Sequence, residues 1–150
     1  MHRDAAPNAT MIKFGFPDTV VADYHGWTVL LRPKQVTLGS LVLVCKAPAK
    51  AFHEIGTAAF AELERATTDI ERTLTAFARY ERINYLMLMM VDPDVHFHVI
   101  PRYSQPRSYA GTSFADSGWP GPPDLKSGVD VAETLRGDLV AALRAAWARR

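Results

Sequence analysis

Polar and apolar positions alternate most sharply over Asp94-Val-His-Phe-His-Val-Ile-Pro-Arg102. A two-residue period is that of a β-strand, whose successive side chains point to opposite faces. On this reading Asp94, His96 and His98 share one face, while Val95, Phe97 and Val99 pack into a core. A slip of one residue would drive the imidazoles inward and the core residues out, so the pattern holds the register. Three further apolar segments read as strands: Trp27–Arg32, Ser40–Lys46 and Tyr85–Val91. Pro33 and Gly39 punctuate the first connection, and Asp92-Pro93 makes the last a tight one, favouring antiparallel pairing.

A helical period replaces the strand period after Gly56. Thr57 is a candidate N-cap for a helix running to about Tyr80. Its apolar stripe is Phe60, Leu63, Thr67, Ile70, Leu74 and Phe77, on a helix otherwise bearing charges such as Glu62, Arg65 and Asp69. Residues 104–128 are rich in Gly, Pro and Ser and predict an irregular loop that could serve as a lid. From about Val129 a terminal helix carries Val131, Leu135, Leu139 and Leu143, with arginines near its end where the helix dipole favours them. Residues 1 to about 11 are expected to be loose. The sum is a single α+β domain over 1–150: an antiparallel sheet crossed by one long helix, with a C-terminal helix packed outside.

Composition narrows the partners. A formal net charge of +1 argues against bulk nucleic-acid binding, which usually rests on a basic excess. With 48% hydrophobic and 22% charged residues the chain reads as ordinary globular protein. Its longest apolar run is too short for a bilayer, and no signal-peptide core opens the chain. A lone Cys45, in an apolar strand, fits a reducing cytoplasm and a packing role.

Two imidazoles on one strand face admit three chemistries. They could be a bland polar face. They could be two ligands of a metal, with Asp94, His53, His25 or Asp116 as third donor, although no recognisable spacing supplies one. Or one could attack phosphorus while the other donates to a developing oxyanion, which uses both rings and needs no cofactor. A nucleophilic imidazole needs its second nitrogen held by an acceptor, and a backbone carbonyl at His96 Nδ1 is the expected one.

His96-Phe-His98-Val-Ile-Pro-Arg102 resembles the end of the signature of the histidine triad family, His-φ-His-φ-His-φ-φ, often followed by Pro-Arg. Thr28–Lys46 resembles that family's first hairpin, and Ala51-Phe-His-Glu-Ile55 the short turn before its long helix. The likeness covers roughly residues 25–103. It implies a nucleotide-binding hydrolase or nucleotidyl transferase, without metal or other cofactor, in which His96 is the nucleophile and His98 contacts phosphate. It also implies Arg32 near the ribose, Leu30 on the base side and a homodimer. Two departures stand out: Asp94 holds the place of the first triad histidine and Ser40 that of the histidine after the turn glycine. Their side chains are therefore expected to share one network. The phosphate-contacting loop shrinks to Asp92-Pro93. These departures keep open a relative that binds nucleotide without turnover, and the His-x-His pair keeps open a metal-dependent enzyme.

Overall fold

The computed structural model describes residues 6–148. Residues 1–5, the start of the stretch expected to be loose, and Arg149 and Arg150, expected at the end of the terminal helix, lie outside the described residues. In chain order the elements are α1 (Ala9–Lys13), β1 (Val20–Asp23), β2 (Trp27–Leu31), β3 (Lys34–Gln35) and β4 (Leu41–Cys45). A 3-10 turn (Phe52–Ile55) leads into α2 (Thr57–Ala78), followed by β5 (Arg82–Leu86) and β6 (His96–Arg102). The hairpin β7 (Arg107–Tyr109) and β8 (Thr112–Phe114), then β9 (Val129–Asp130) and α3 (Glu133–Ala148), complete it.

Five strands form one antiparallel sheet in the order β1-β2-β4-β6-β5. β2 and β4 are buried along their whole length, as their largely apolar runs require of strands covered on both faces. On one face Val29, Leu31, Leu41, Leu43, Val95 and Val99 pack in the core that also holds Ile70 and Leu74 of α2 and Leu139 and Leu143 of α3. On the other face a smaller cluster joins Leu30, Val42 and Val44 to Met11 and Phe14. Among the described residues no helix is long and apolar enough to cross a membrane.

The turn between β2 and β4 depends on Gly39, whose φ of +92° suits glycine and whose N–H donates to Gln35 Oε1 at 2.8 Å. A Cβ there would also stand 3.1 Å from Leu74.

Several sequence expectations shift. The third strand is Arg82–Leu86, not Tyr85–Val91; Met87–Val91 leaves the sheet, with Met89 at φ +54° and Met90 and Val91 more than four-fifths exposed. Hydrophobicity alone could not place that boundary, because an exposed apolar loop and a buried strand read alike. The N-cap of α2 is Gly56 rather than Thr57, and it makes no side-chain cap. The buried face of α2 is turned from the expected stripe: Ala59, Ala66, Ile70, Thr73 and Leu74 are inside, whereas Phe60 is 40% exposed and rests on Phe52. Asp69, expected on the solvated face, is buried and accepts a 2.6 Å bond from the Tyr24 hydroxyl. Within 104–128 the chain forms the β7–β8 hairpin, and Val129–Asp130 pairs with Lys34–Gln35 as a strand before α3 begins. Residues 8–13 are ordered rather than loose: Asn8 Oδ1 accepts from Met11 N at 2.9 Å, capping α1.

Candidate active site

β6 positions both imidazoles. His96 pairs with Val44 and His98 with Val42, so the rings rise from the same sheet face as Leu30, Val42 and Val44. Their centroids lie 5.1 Å apart at an interplanar angle of 81°. Both are buried by their neighbours yet border a cavity of about 210 Å³, shared with Lys13, Phe14, Arg32 and Met89. An adjoining cavity of about 450 Å³ shares Lys13, Phe14 and Arg32 and extends past Lys34 to Lys126. The first alone is below the usual range for a ligand site, about 300–1,000 Å³. The second gives it room.

The hydrogen bonds assign different tautomers to the two rings. His96 Nδ1 lies 2.6 Å from the Asp94 carbonyl oxygen, which can only accept, so Nδ1 carries the proton and Nε2 is left with a lone pair. Arg32 Nε, which can only donate, reaches His98 Nδ1 at 3.4 Å, so that ring carries its proton on Nε2. One ring thus offers a base or nucleophile and the other a donor. The pairing needs His98 neutral. Burial, then the charge of Arg32, pushes its pKa down to about 4.

That depression links to stability. His98 binds its proton near pH 6.5 when unfolded and near 4 when folded, so the unfolded state holds the extra proton between those values. Stability from this group is full above about pH 6.5 and declines as pH falls toward 4. His98→Asn should therefore flatten the pH dependence of urea unfolding between pH 6.5 and 4. An unchanged slope would show that His98 is not the group responsible.

The other sequence candidates fall differently. Arg32 is at the cavity, its Nη1 donating to the Lys34 carbonyl at 2.9 Å and its guanidinium 6.0 Å from the Phe14 ring centre. Leu30 is on the correct face but wholly buried in the cluster with Met11 and Phe14, so it cannot meet a base as expected. The reason is α1, too short for its period to show in the chain. The Asp94 carboxylate does not line the cavity; it accepts from Thr10 N at 3.3 Å, Thr10 Oγ1 at 2.9 Å and the Lys50 ammonium. Burial alone would raise its pKa, but these bonds outweigh that and hold it below the ordinary value. Ser40 was expected beside Asp94 and is not. Its hydroxyl bonds within the turn, to the Thr37 carbonyl at 2.8 Å and from Thr37 N at 3.0 Å, at the opposite end of the β4–β6 ladder. It joins neither the Asp94 network nor the cavity lining.

Asp116 is engaged by Arg102, the last residue of β6. His25 and His53 are exposed on separate turns, and Cys45 is buried, its thiol pKa raised chiefly by burial. Among the described residues no three His, Cys, Asp or Glu side chains gather as a metal site.

Sequence reasoning missed Lys13, Phe14 and Met89. Asn8 before Ala9 was an available helix-start signal for the first two. Nothing local in the chain announces that α1 docks on the histidine face.

No protein-family model matches the chain, and no curated protein matches its sequence. Solved structures do match. A histidine triad protein from Bradyrhizobium japonicum is 18% identical, with a TM-score of 0.72 over 94% of this chain and 96% of that one. Another, from Sinorhizobium meliloti, is 19% identical, with a TM-score of 0.73 over 95% and 97%. A hypothetical histidine triad nucleotide-binding protein from Sulfolobus tokodaii is 15% identical, with a TM-score of 0.67 over 93% and 90%. An α+β chain with this sheet and these two long helices has the fold of the histidine triad proteins.

Proposed function

We propose that the chain is a nucleotide-binding hydrolase or nucleotidyl transferase that cleaves a phosphoanhydride, phosphoester or phosphoramidate bond of a nucleoside monophosphate derivative. The observation that carries this reading is the tautomer pair, a bare Nε2 on His96 beside a donor Nε2–H on His98. His96 Nε2 attacks the α-phosphorus; a P–N bond forms, and the leaving group departs with the electrons of its bond to phosphorus and takes up a proton. Water or another acceptor then attacks the nucleotidyl-imidazole, losing its own proton as the P–N bond breaks, which restores His96. The His98 Nε2–H donates to a non-bridging oxygen as charge gathers on it. Arg32, at the edge of the cavity, would meet the ribose of the ligand.

Asp94 stands where the first triad histidine would be. Its carbonyl fixes the His96 tautomer, a task that any residue there can perform with its backbone. The departure from the signature is therefore compatible with turnover.

The test is incubation with nucleoside phosphoramidates and dinucleoside polyphosphates, followed by mass spectrometry of the rapidly quenched protein. A nucleotidyl adduct on His96 and a released monophosphate are expected. Binding without release from any of them would favour the non-catalytic relative. We also expect a homodimer formed through β5, which among the described residues is an edge strand paired with β6 on one side, so that its open side can pair with its copy. Light scattering should give twice the mass of the 16.6 kDa chain, and the single mass at micromolar concentration would end that expectation.

A further inference from the structure

Residues 8–16 form a wall across the histidine face of the sheet, held at three places. Asn8 Nδ2 donates to the Cys45 carbonyl at 3.0 Å. Thr10 donates twice to the Asp94 carboxylate, whose other oxygen accepts from Lys50. Met11 and Phe14 bury themselves against Leu30, Val42 and Val44. So docked, the wall brings the Phe14 ring edge-on to His98, with centroids 5.7 Å apart. It also carries Lys13 over the cavity, where its ammonium reaches both oxygens of Asp92 at 3.0 and 2.9 Å.

A phosphate group in this cavity needs a cation, and the candidates differ in freedom. The Arg32 guanidinium is engaged with His98 and the Lys34 carbonyl. His98 is neutral near pH 7. Lys13 is about half exposed, and an exposed ion pair such as that with Asp92 contributes only about 0–1 kcal/mol. An ammonium has three donors, so Lys13 can hold Asp92 and still donate to a ligand oxygen. Its charge already reaches the site, since it is one of those that depress the His98 pKa.

We infer that Lys13 is the cation that receives the substrate's phosphate group, and that Asp94 is the residue that positions it, acting through Thr10 and the docked α1. The inference rests on the nucleotide reading above and deepens it. It replaces the missing phosphate-contacting loop with a side chain from the other end of the chain. It also gives Asp94 a task that a neutral histidine could not perform as well, because a carboxylate accepts from the backbone and hydroxyl of Thr10 and from Lys50 together.

The experiment is calorimetric binding of whichever of AMP, GMP, CMP and UMP binds tightest, and of its uncharged nucleoside, to the wild-type chain and four variants. Lys13→Met should weaken the monophosphate about tenfold, the scale of a lost charge-assisted hydrogen bond. It should leave the nucleoside unchanged, and Lys13→Arg should restore most of the loss. Thr10→Val, which keeps Lys13 but loosens the wall, should weaken the monophosphate selectively and speed amide exchange over residues 9–14. Thr10→Ser, which keeps the hydroxyl, should rescue both. Wild-type affinity in Lys13→Met, or equal weakening of nucleoside and monophosphate, overturns the role of Lys13 while the nucleotide reading stands. Wild-type affinity in Thr10→Val overturns the role of Asp94. If the wild-type chain binds none of the four monophosphates, the nucleotide reading falls and this inference with it.

Discussion

His96→Ala is expected to remove turnover, by on the order of 10⁴-fold or more, while the nucleoside monophosphate still binds within a few fold. Deleting a covalent nucleophile costs that much in enzymes that depend on one, because no neighbouring group can form the same intermediate. The neighbour here illustrates why. His98 is only 5.1 Å away, but its Nδ1 is turned to Arg32 and its Nε2 carries the proton, so it has no free lone pair to aim at phosphorus. Loss of the adduct together with loss of product release would place the effect on the chemical step. Should the variant keep wild-type rates on every active substrate found, the nucleophile is not His96, and the tautomer argument fails with it.

The largest effect on stability is expected far from that chemistry, at Arg102. Its guanidinium donates to Asp116 at 2.7 and 3.0 Å, to Asn84 Oδ1 at 2.7 Å and to the Gly121 carbonyl at 2.9 Å. The side chains of the pair are 4% and 1% exposed. Replacing Arg102 with Met removes the charge that the buried Asp116 carboxylate faces and leaves it with the weaker 3.2 Å bond from Tyr103 N. Breaking one side of a buried pair typically costs about 3–5 kcal/mol. Urea unfolding at pH 7 should show a loss of that size, and the double variant Arg102→Met with Asp116→Leu should recover part of it by removing the stranded carboxylate. A loss below about 1 kcal/mol for the single variant would mean that water reaches Asp116 when Arg102 is gone. Turnover per folded molecule should barely change, since Arg102 closes β6 and the histidines open it.

What could be read in the chain follows from how local each determinant is. The alternation around His96 and His98 is contained within one strand, so the strand, its register and the pairing of the two rings were legible. The backbone acceptor at His96 Nδ1 was legible too, because it comes from two residues earlier on the same chain. The β2–β4 hairpin and the body of α2 had their own periods and turn residues. Determinants that join distant segments were not legible. The fate of Asp94 is decided by Thr10 and Lys50, and that of Leu30 by Met11 and Phe14, and no periodicity links those positions. Asp69 looked like one more charge on a helix until Tyr24, 45 residues earlier, accounted for it. The Met87–Val91 segment misled for another reason: it is as hydrophobic as the strands yet lies largely at the surface.

The bond between Thr10 and Asp94 spans 84 positions of the chain. On a ribosome the wall is therefore made long before its socket exists: α1 can find neither Asp94 nor the completed face of β4 and β6 until most of the chain has been synthesised. A helix of five residues cannot hold itself together over that interval, since isolated helices need about 12–15 residues to be even marginal in water. The wall can therefore close only on a sheet in which β4 and β6 have already paired, so the cavity beside the histidines is walled in after the strands that carry them.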